Sequence, residues 1–306
     1  MQLTEPQRRT LERLIGTGDR PVFADDLRQR VVDRIETAAR ELELADPLWI
    51  GKESLNHLGR CEGRFAAKLE GEDPPFEHSL TTAVGVLSHK AIEVEVGARD
   101  GLDPHAIAAM AADRLAEREE RFAEFWGGLA SGEQDELLMD VVRKVALFQG
   151  SFPPLRELRR EMAPITELTL RAELLGGALT LSGKVDLVLG LPDRLEPTRG
   201  TRLVVDLKSG GAWPEYAEDM RFYALLMTLR FGVPPYRVAS LFLDSGEWQS
   251  EEVSEETLFH AADRVVAAAR SAGSLRSGRE PLLRPGAWCS WCPRAFVCPS
   301  AEPRSA

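Results

Sequence analysis

The first 160 residues of the chain carry apolar side chains at steps of three and four positions, with charged residues between them, a spacing that predicts amphipathic helices. We expect helices at residues 6–14, 25–44, 54–69 and 80–96. Ser54 is the expected N-cap of the third helix. Asp103 followed by Pro104 predicts the start of another helix, which should end near Trp126, and Ser131 opens the next. This part of the chain is therefore predicted to be mostly helical.

Beyond residue 160 the apolar segments become short, rich in leucine and β-branched residues, and separated by glycine or proline, which is typical of strands. We expect strands at residues 167–174, 179–189, 202–208 and 238–243, and helices at residues 216–231 and 254–272. This order predicts an α/β fold with a mixed sheet. The chain then divides into a helical region (1–160), an α/β core (161–272) and a cysteine-rich tail (273–306).

Composition narrows the class of protein. A chain of 306 residues can bury a core without disulfides, so its four cysteines need no role as cross-links. Its net charge of −11 argues against a simple basic coat for nucleic acid, although residues 270–306 hold six arginines against two glutamates. The sequence has no run of 18 apolar residues and no secretory leader, so we expect a cytoplasmic protein without a membrane segment and with reduced thiols.

Two of the predicted strands carry carboxylates that we expect to meet. Side chains alternate between the faces of a strand, so Asp206 and Lys208 point to the same side of one strand. Asp186 lies on the preceding strand, and it reaches Asp206 if the two strands are hairpin neighbours. Two carboxylates repel unless a cation lies between them, and hard oxygen ligands favour Mg²⁺ or Mn²⁺.

A lysine beside such a metal supplies a positive charge for a phosphate or for a developing hydroxide. Asp186, Asp206 and Lys208 therefore predict metal-assisted hydrolysis of phosphodiester bonds. The alternative interpretation places both carboxylates at strand ends, with Lys208 as a solvated ion-pair partner.

The spacing of these residues resembles a known family. Gly183-Lys-Val-Asp186, followed twenty residues later by Asp206-Leu-Lys208-Ser-Gly, resembles the motif of the PD-(D/E)XK nucleases. Gly85-Val-Leu-Ser-His89 resembles the G-x-x-x-H helix motif of their RecB-like branch. The resemblance implies a restriction-endonuclease-like mixed sheet flanked by helices, and it implies a metal-dependent DNA nuclease.

The same resemblance implies roles for single residues. His89 is expected to join Asp186 and Asp206 as a metal ligand. The main-chain carbonyl of Leu207 is a further expected ligand, and Lys208 is expected to position or activate the attacking water.

The helix after the lysine strand carries the position of the family's Q-x-x-x-Y motif. Tyr223 agrees with this motif and is expected to support the site or to contact DNA, whereas Asp219 replaces the glutamine. An aspartate there repels phosphate unless it holds an arginine or a metal. Glu93, one helical turn after His89, and Glu167, at the start of the sheet, are weaker candidates for the same site.

One of the four cysteines lies in the N-terminal region, and the other three lie close together near the end of the chain. Cys289, Cys292 and Cys298 are spaced C-x₂-C-x₅-C near the end of the chain, and Cys61 lies more than two hundred residues upstream. Four thiolates fit a Cys₄ zinc site or a [4Fe–4S] cluster, but a zinc ribbon normally uses two close pairs. The split resembles the iron–sulfur nucleases of the RecB-like branch, which include the AddB nuclease domain and CRISPR-associated adaptation nucleases.

In that group one cysteine before the nuclease motifs and three after them bind one cluster, so the resemblance implies a structural [4Fe–4S] cluster. The segment Arg60-Cys61-Glu62-Gly-Arg-Phe65 resembles the group's R-C-P-x-x-F element, with glutamate in place of proline. The tail also carries aromatic side chains, at Trp288, Trp291 and Phe296. Together with the arginines, these residues either stack on single-stranded bases or shield the cluster from water, and we favour shielding.

We therefore expect a DNA nuclease, with exonuclease action on single strands or duplex ends implied by the resemblance alone. Repair, recombination or defence would be its setting, and a helicase or another repair protein its partner. Two alternatives remain open: a non-catalytic iron–sulfur DNA-binding subunit of a helicase–nuclease complex, and a zinc-stabilised protein of RNA metabolism. The presence of Asp186, Asp206 and Lys208 favours the enzyme, because a lapsed site would be free to lose them.

Overall fold

In the computed structural model, which describes residues 2–16, 18–42, 46–73, 75–211 and 213–301, the chain forms a mixed sheet of six strands. The strands are β1 (Leu48–Ile50), β2 (Ile165–Leu174), β3 (Leu179–Leu189), β4 (Leu203–Lys208), β5 (Arg237–Phe242) and β6 (Trp248–Glu252). They follow the order β1-β3-β4-β5-β6, and β2 pairs with β3 outside this path. The β1–β3 and β4–β5 pairs are parallel, and the other pairs are antiparallel.

Helices cover both faces of the sheet. They are α1 (Glu5–Arg9), α2 (Leu27–Ala39), α3 (Lys52–Arg60), α4 (Glu62–Leu69), α5 (Leu80–Gly97), α6 (Pro104–Arg118), α7 (Glu120–Gly128), α8 (Ser131–Ser151), α9 (Arg159–Met162), α10 (Glu215–Phe231) and α11 (Glu255–Arg276), with a π-helical segment at Thr10–Ile15. One buried cluster packs α2, α10 and α11 against one face, and a second packs α5 and α8 against the other. A third cluster joins α5, α6 and α8 beside the sheet.

The predicted strands are found as β2, β3, β4 and β5, so the expected α/β fold with a mixed sheet is confirmed. Two strands were missed for physical reasons. Strand β1 has only three residues, which is too short for an alternating pattern to stand out. Strand β6 lies at the sheet edge and reads Trp-Gln-Ser-Glu-Glu, so it offers no apolar alternation.

Two helices predicted as continuous are interrupted. The helix expected at 54–69 begins at Lys52 with Gly51 as its N-cap, so the assignment of Ser54 as the cap was wrong. This helix breaks at Cys61, whose backbone is extended and which separates α3 from α4. The helix expected to run from Asp103 to Trp126 breaks at Glu119 in the same way. Neither break contains a proline, the usual sequence signal for the end of a helix, so the apolar periodicity predicted one continuous helix in each case.

The N-terminal region contributes to the sheet, since β1 pairs in parallel with the start of β3. Strand β2 pairs with β3 along nearly its whole length, so β1 and β4 must share the other edge of β3. Strand β1 lies opposite residues 179–181 and β4 lies opposite residues 187–189. The division of the chain into three regions stays a prediction. Among the helices of the described ranges, none combines the length and the apolar character needed to cross a membrane.

Candidate active site

The two carboxylates predicted to meet lie on paired strands. Strands β3 and β4 are antiparallel neighbours, and the pair Leu187↔Val205 places Asp186 and Asp206 in the next position along the hairpin. The Asp186 Oδ2 atom accepts a hydrogen bond of 2.6 Å from the Leu207 N–H, which fixes this carboxylate to the end of β4. Strand pairing and the Leu207 N–H therefore bring the two acids together.

Helix α5 places His89 against Asp186. The His89 Nδ1 atom lies 3.1 Å from Asp186 Oδ1. One turn earlier on the helix, a Cβ atom at Gly85 would come within 3.1 Å of Ser209 Oγ, so glycine lets α5 approach the end of β4. The G-x-x-x-H spacing thus has a packing reason. Burial lowers the pKa of His89, but the hydrogen bond to Asp186 and the charges of the surrounding carboxylates together outweigh burial and leave the pKa raised.

Helix α10 approaches the same point because β3 has a glycine there. A Cβ atom at Gly183 would lie 2.9 Å from Leu226 Cδ1 and 3.0 Å from Tyr223 Cε1. The G-x-x-D spacing therefore seats Tyr223 behind the carboxylates, where its side chain is fully buried. Burial, together with the charge of Asp206, raises the pKa of Tyr223, so its hydroxyl stays protonated at ordinary pH.

Glu167 belongs to the site, although the sequence offered only weak grounds for it. Donor atoms of His89, Glu167 and Asp186 lie within 4.8 Å of one another, and the β2–β3 register places Glu167 opposite Asp186. Its backbone φ of +56° is left-handed, a conformation that costs a non-glycine residue about 1–3 kcal/mol. In this structure its carboxylate pairs with Lys184. Glu93, the other weak candidate, pairs with Lys90 on its own helix.

Asp206 lies between two lysines. Lys208 lies beside its Oδ2 atom, and the Lys52 Nζ atom is 3.6 Å from its Oδ1 atom. Asp206 is only 2% exposed, and no hydrogen bond of acceptable geometry reaches its Oδ2 atom. Burial raises the pKa of Asp206, but the two lysines outweigh it and hold the pKa low. The pKa of Asp186 is raised, by burial first and also by the charge of Asp206.

The alternative interpretation of Lys208 as a solvated partner is wrong, because its side chain is only 9% exposed. The Lys208 Nζ atom lies 3.9 Å from the centroid of the Tyr216 ring and 3.8 Å from Asp219 Oδ2. Lys208 is therefore enclosed by two carboxylates and an aromatic face.

Asp219, which replaces the expected glutamine, is buried and interacts with polar and charged side chains of the protein. Its Oδ1 atom accepts a hydrogen bond of 2.8 Å from the Asn56 side chain, and Asn56 in turn accepts one of 2.9 Å from Arg264. Burial raises the pKa of Asp219. Asp219 therefore forms an ion pair with Lys208 and is linked to Arg264 through the side chain of Asn56.

The four cysteines line a single cavity of about 410 Å³. Cys61 reaches it from the break between α3 and α4, and Cys289, Cys292 and Cys298 reach it from the tail. Within the described part of the chain, no three cysteine sulfurs lie within 4.8 Å of one another.

Glu62 holds the tail to the start of α4. Its carboxylate accepts hydrogen bonds of 2.8 Å from the Arg279 guanidinium and of 2.8 Å from the Leu282 N–H. Its own N–H donates to the Leu282 carbonyl oxygen at 3.2 Å. A proline, which the related motif has at this position, lacks both the N–H and the carboxylate. Glutamate in place of proline at position 62 therefore adds hydrogen bonds between α4 and the tail beside the cysteine cavity, and we call these contacts of Glu62 with Arg279 and Leu282 the clasp.

The sequence profile of the PD-(D/E)XK nuclease superfamily matches residues 53–299. The chain belongs to this superfamily. The match extends from α3 into the cysteine-rich tail and includes Asp186, Asp206 and Lys208 on the paired strands. It confirms the restriction-endonuclease-like α/β fold, and it agrees with a site built for divalent metal, which PD-(D/E)XK nucleases use. Assignment to the RecB-like branch stays a prediction.

The comparisons with individual proteins add little to the PD-(D/E)XK assignment. The crystal structure of SSO0001 resembles this chain with 13% sequence identity over 88% of this chain and 96% of that chain. Its TM-score is 0.36, and we draw no functional conclusion from it. No curated protein sequence matches the chain.

Proposed function

We propose that this PD-(D/E)XK protein is a metal-dependent deoxyribonuclease that degrades single-stranded DNA or duplex ends as an exonuclease. The observation that carries the proposal is the group formed by His89, Asp186, Asp206 and Lys208 at the junction of α5, β3 and β4, in which the two aspartates and the lysine are buried. Buried carboxylates are costly unless cations lie beside them. Lys52 and Lys208 lie beside Asp206, and a divalent ion would offset the remaining charge of Asp186. The exonuclease action and the single-strand preference rest on the resemblance to the RecB-like branch.

The donors fit Mg²⁺ or Mn²⁺. His89, Asp186 and Asp206 are the proposed ligands, with the main-chain carbonyl of Leu207 as an extra one. Carboxylate oxygens suit these hard cations, and one imidazole is compatible with Mn²⁺. The close spacing of the His89, Glu167 and Asp186 donors supports His89 and Asp186. Asp206 is included because it is buried and because strand pairing places it next to Asp186. Glu167 extends the set of donors.

The protein's own residues do the rest of the chemistry. A bound divalent ion supplies Lewis-acid stabilisation of charge on the phosphoryl group. Lys208, held by Asp206 and Asp219, has a fixed ammonium with which to position or activate the water that attacks phosphorus in line. Tyr223 keeps its proton and supports the carboxylates from behind.

We also propose that Cys61, Cys289, Cys292 and Cys298 bind one structural [4Fe–4S] cluster. The support is that all four line one cavity, and that Trp288 lines it as well, in line with a shielding role. The Cys61 Sγ atom accepts a hydrogen bond from the Arg284 N–H at 3.5 Å, a contact that stabilises a thiolate. Such a cluster would fasten the tail to the helical region. A helicase or another repair protein is the proposed partner.

The decisive experiment follows labelled single-stranded DNA in Mn²⁺. The wild-type protein is expected to shorten strands from an end, leave circular single strands intact, and lose activity on Asp206→Ala. Asp263→Ala is the matched control, because Asp263 is a half-exposed aspartate of α11 that pairs with Arg34 of α2. Equal degradation by Asp206→Ala would contradict the site assignment, and cleavage of circles would contradict exonuclease action.

A further inference from the structure

A second lysine reaches the site through a gap in the sheet. Strands β1 and β4 share one edge of β3 and leave residues 182–186 between them. The chain leaves β1 at Ile50 and enters α3 at Lys52, beside this gap. A Cβ atom at Gly51 would lie 3.3 Å from the Ser182 carbonyl oxygen, so the turn into α3 passes close against β3. The turn into α3 therefore places Lys52 beside the Oδ1 atom of Asp206, whereas Lys208 lies beside the Oδ2 atom.

The two lysines differ in what surrounds them. The Lys208 ammonium is enclosed by Asp206, Asp219 and the Tyr216 ring. The Lys52 side chain is 37% exposed, with its Nζ atom 3.6 Å from Asp206 Oδ1 and 5.2 Å from the centroid of the Tyr223 ring. Lys52 thus touches the same carboxylate as Lys208 but faces solvent, from which a substrate arrives.

The surroundings of Lys52 suit an anion. Its neighbour Glu53 turns away and pairs with Lys68 at 3.1 Å, so that carboxylate does not oppose an approaching phosphate. Gly51, the N-cap of the nine-residue helix α3, has no side chain that competes for the first helix N–H groups beside the lysine. An ammonium at a helix N-terminus suits the binding of phosphate.

We propose that Lys52 is a second lysine of the active site and that it binds a backbone phosphate of the DNA at the reacting end. This inference rests on the proposed nuclease function. Lys52 lies just outside the matched residues 53–299, so membership of the superfamily does not assign it a role. The division of labour follows from the enclosure of Lys208: Lys208 acts on the water, and Lys52 holds the phosphate.

The test compares Lys52→Met, Lys52→Arg and Arg34→Met, the last being a control that removes a half-exposed cation paired with Asp263. Binding of a short single-stranded oligonucleotide is measured in Ca²⁺ by fluorescence anisotropy over a range of NaCl concentrations. Lys52→Met is expected to reduce the slope of log K against log salt by about 0.7, the value for one phosphate contact on a single strand. Its single-turnover degradation rate in Mn²⁺ is expected to fall about 10²-fold.

Lys52→Arg keeps the charge and is expected to restore the salt slope, and Arg34→Met is expected to match the wild type in both measurements. A wild-type slope in Lys52→Met overturns the inference, even if the rate falls, because Lys52 would then only balance the charge of Asp206. Failure of the wild-type protein to degrade DNA would instead contradict the proposed function. The salt slope is a binding measurement, so it separates the two failures.

Discussion

The active site and the cysteine cavity are built in different ways. Asp186, Asp206 and Lys208 are buried, and regular strands fix them through the backbone. The four cysteines are only half-buried and lie where α3 breaks and where the tail has little regular structure. The tail is attached largely by ion pairs, in which Arg279 contacts Glu62 and Arg294 contacts Glu70 and Glu72.

The difference bears on which part of the molecule would depend on a bound ligand. In the active site, strand pairing and the Leu207 N–H position the two acids. The cysteines lie around an open space, and the contacts beside it include partly solvent-exposed ion pairs, which individually contribute little stability. Loss of the proposed metal should therefore impair chemistry, whereas loss of the proposed cluster should impair structure.

The largest expected effect is on chemistry, in the variant Asp186→Asn. Replacing one proposed ligand should lower the degradation rate about 10³-fold. The midpoint of thermal unfolding should stay level or rise, because burial disfavours the charged form of Asp186 and the amide removes that charge. Degradation assays and thermal melts on the same preparation check both expectations. A large fall in the unfolding midpoint would mean that the acids stabilise the fold, and it would contradict the view that the active site contributes to chemistry and not to stability.

The second effect is on structure, in the variant Cys292→Ser. Loss of one cluster ligand should release the tail and destabilise the protein by about 3 kcal/mol, the scale of a lost cross-link. The measurements are iron and sulfide content, visible colour, and limited proteolysis beyond α11. Ser290→Ala, two residues away, is the control and should keep its iron. A colourless protein that contains zinc, or a tail that stays protected in Cys292→Ser, would contradict the cluster proposal.

The third effect is on the packing of Tyr223 against β3, and the variant that tests it is Gly183→Ala. The added Cβ would come within 2.9 Å of Leu226 and 3.0 Å of Tyr223, so we expect overpacking that costs about 2 kcal/mol. Denaturant unfolding measures this cost. Gly127→Ala on α7 is the matched control, because no atom lies within 4 Å of its added Cβ and alanine favours helix. If both variants are equally stable, α10 is not held against β3 as described.

The sequence predicts those parts of the fold and site that depend on local pattern. Strand β3 alternates apolar residues over eleven positions, so its bounds were predicted to the residue, and the same alternation predicted the meeting of Asp186 and Asp206. Glu167 was undervalued because its importance comes from strand register and from a left-handed φ. Lys52 was missed because only the sharing of one β3 edge by β1 and β4 brings it to Asp206.

The smallest expected effect is the pH dependence of the clasp at Glu62. Burial raises the pKa of Glu62, but the hydrogen bonds from Arg279 and from the Leu282 N–H outweigh it and leave the pKa lowered. A carboxyl whose folded pKa lies below its unfolded value stabilises the fold above the unfolded value, about 4.3, and loses this contribution as pH falls through the folded value. Since Arg279 is partly exposed, the contribution should be about 1 kcal/mol.

Proteolysis of the tail, followed from pH 7 to about pH 3.5, measures this contribution. In the wild-type protein the tail should be protected at neutral pH and lose protection as the solution is acidified below about pH 4.3. Glu62→Gln should remove that acid step and expose the tail slightly at all pH values, because the amide cannot pair with Arg279 as an ion. Glu70→Gln is the control, since Arg294 keeps its second partner Glu72. An acid step of the same size in Glu62→Gln would assign the pH dependence to other carboxylates and leave the clasp with a purely structural role.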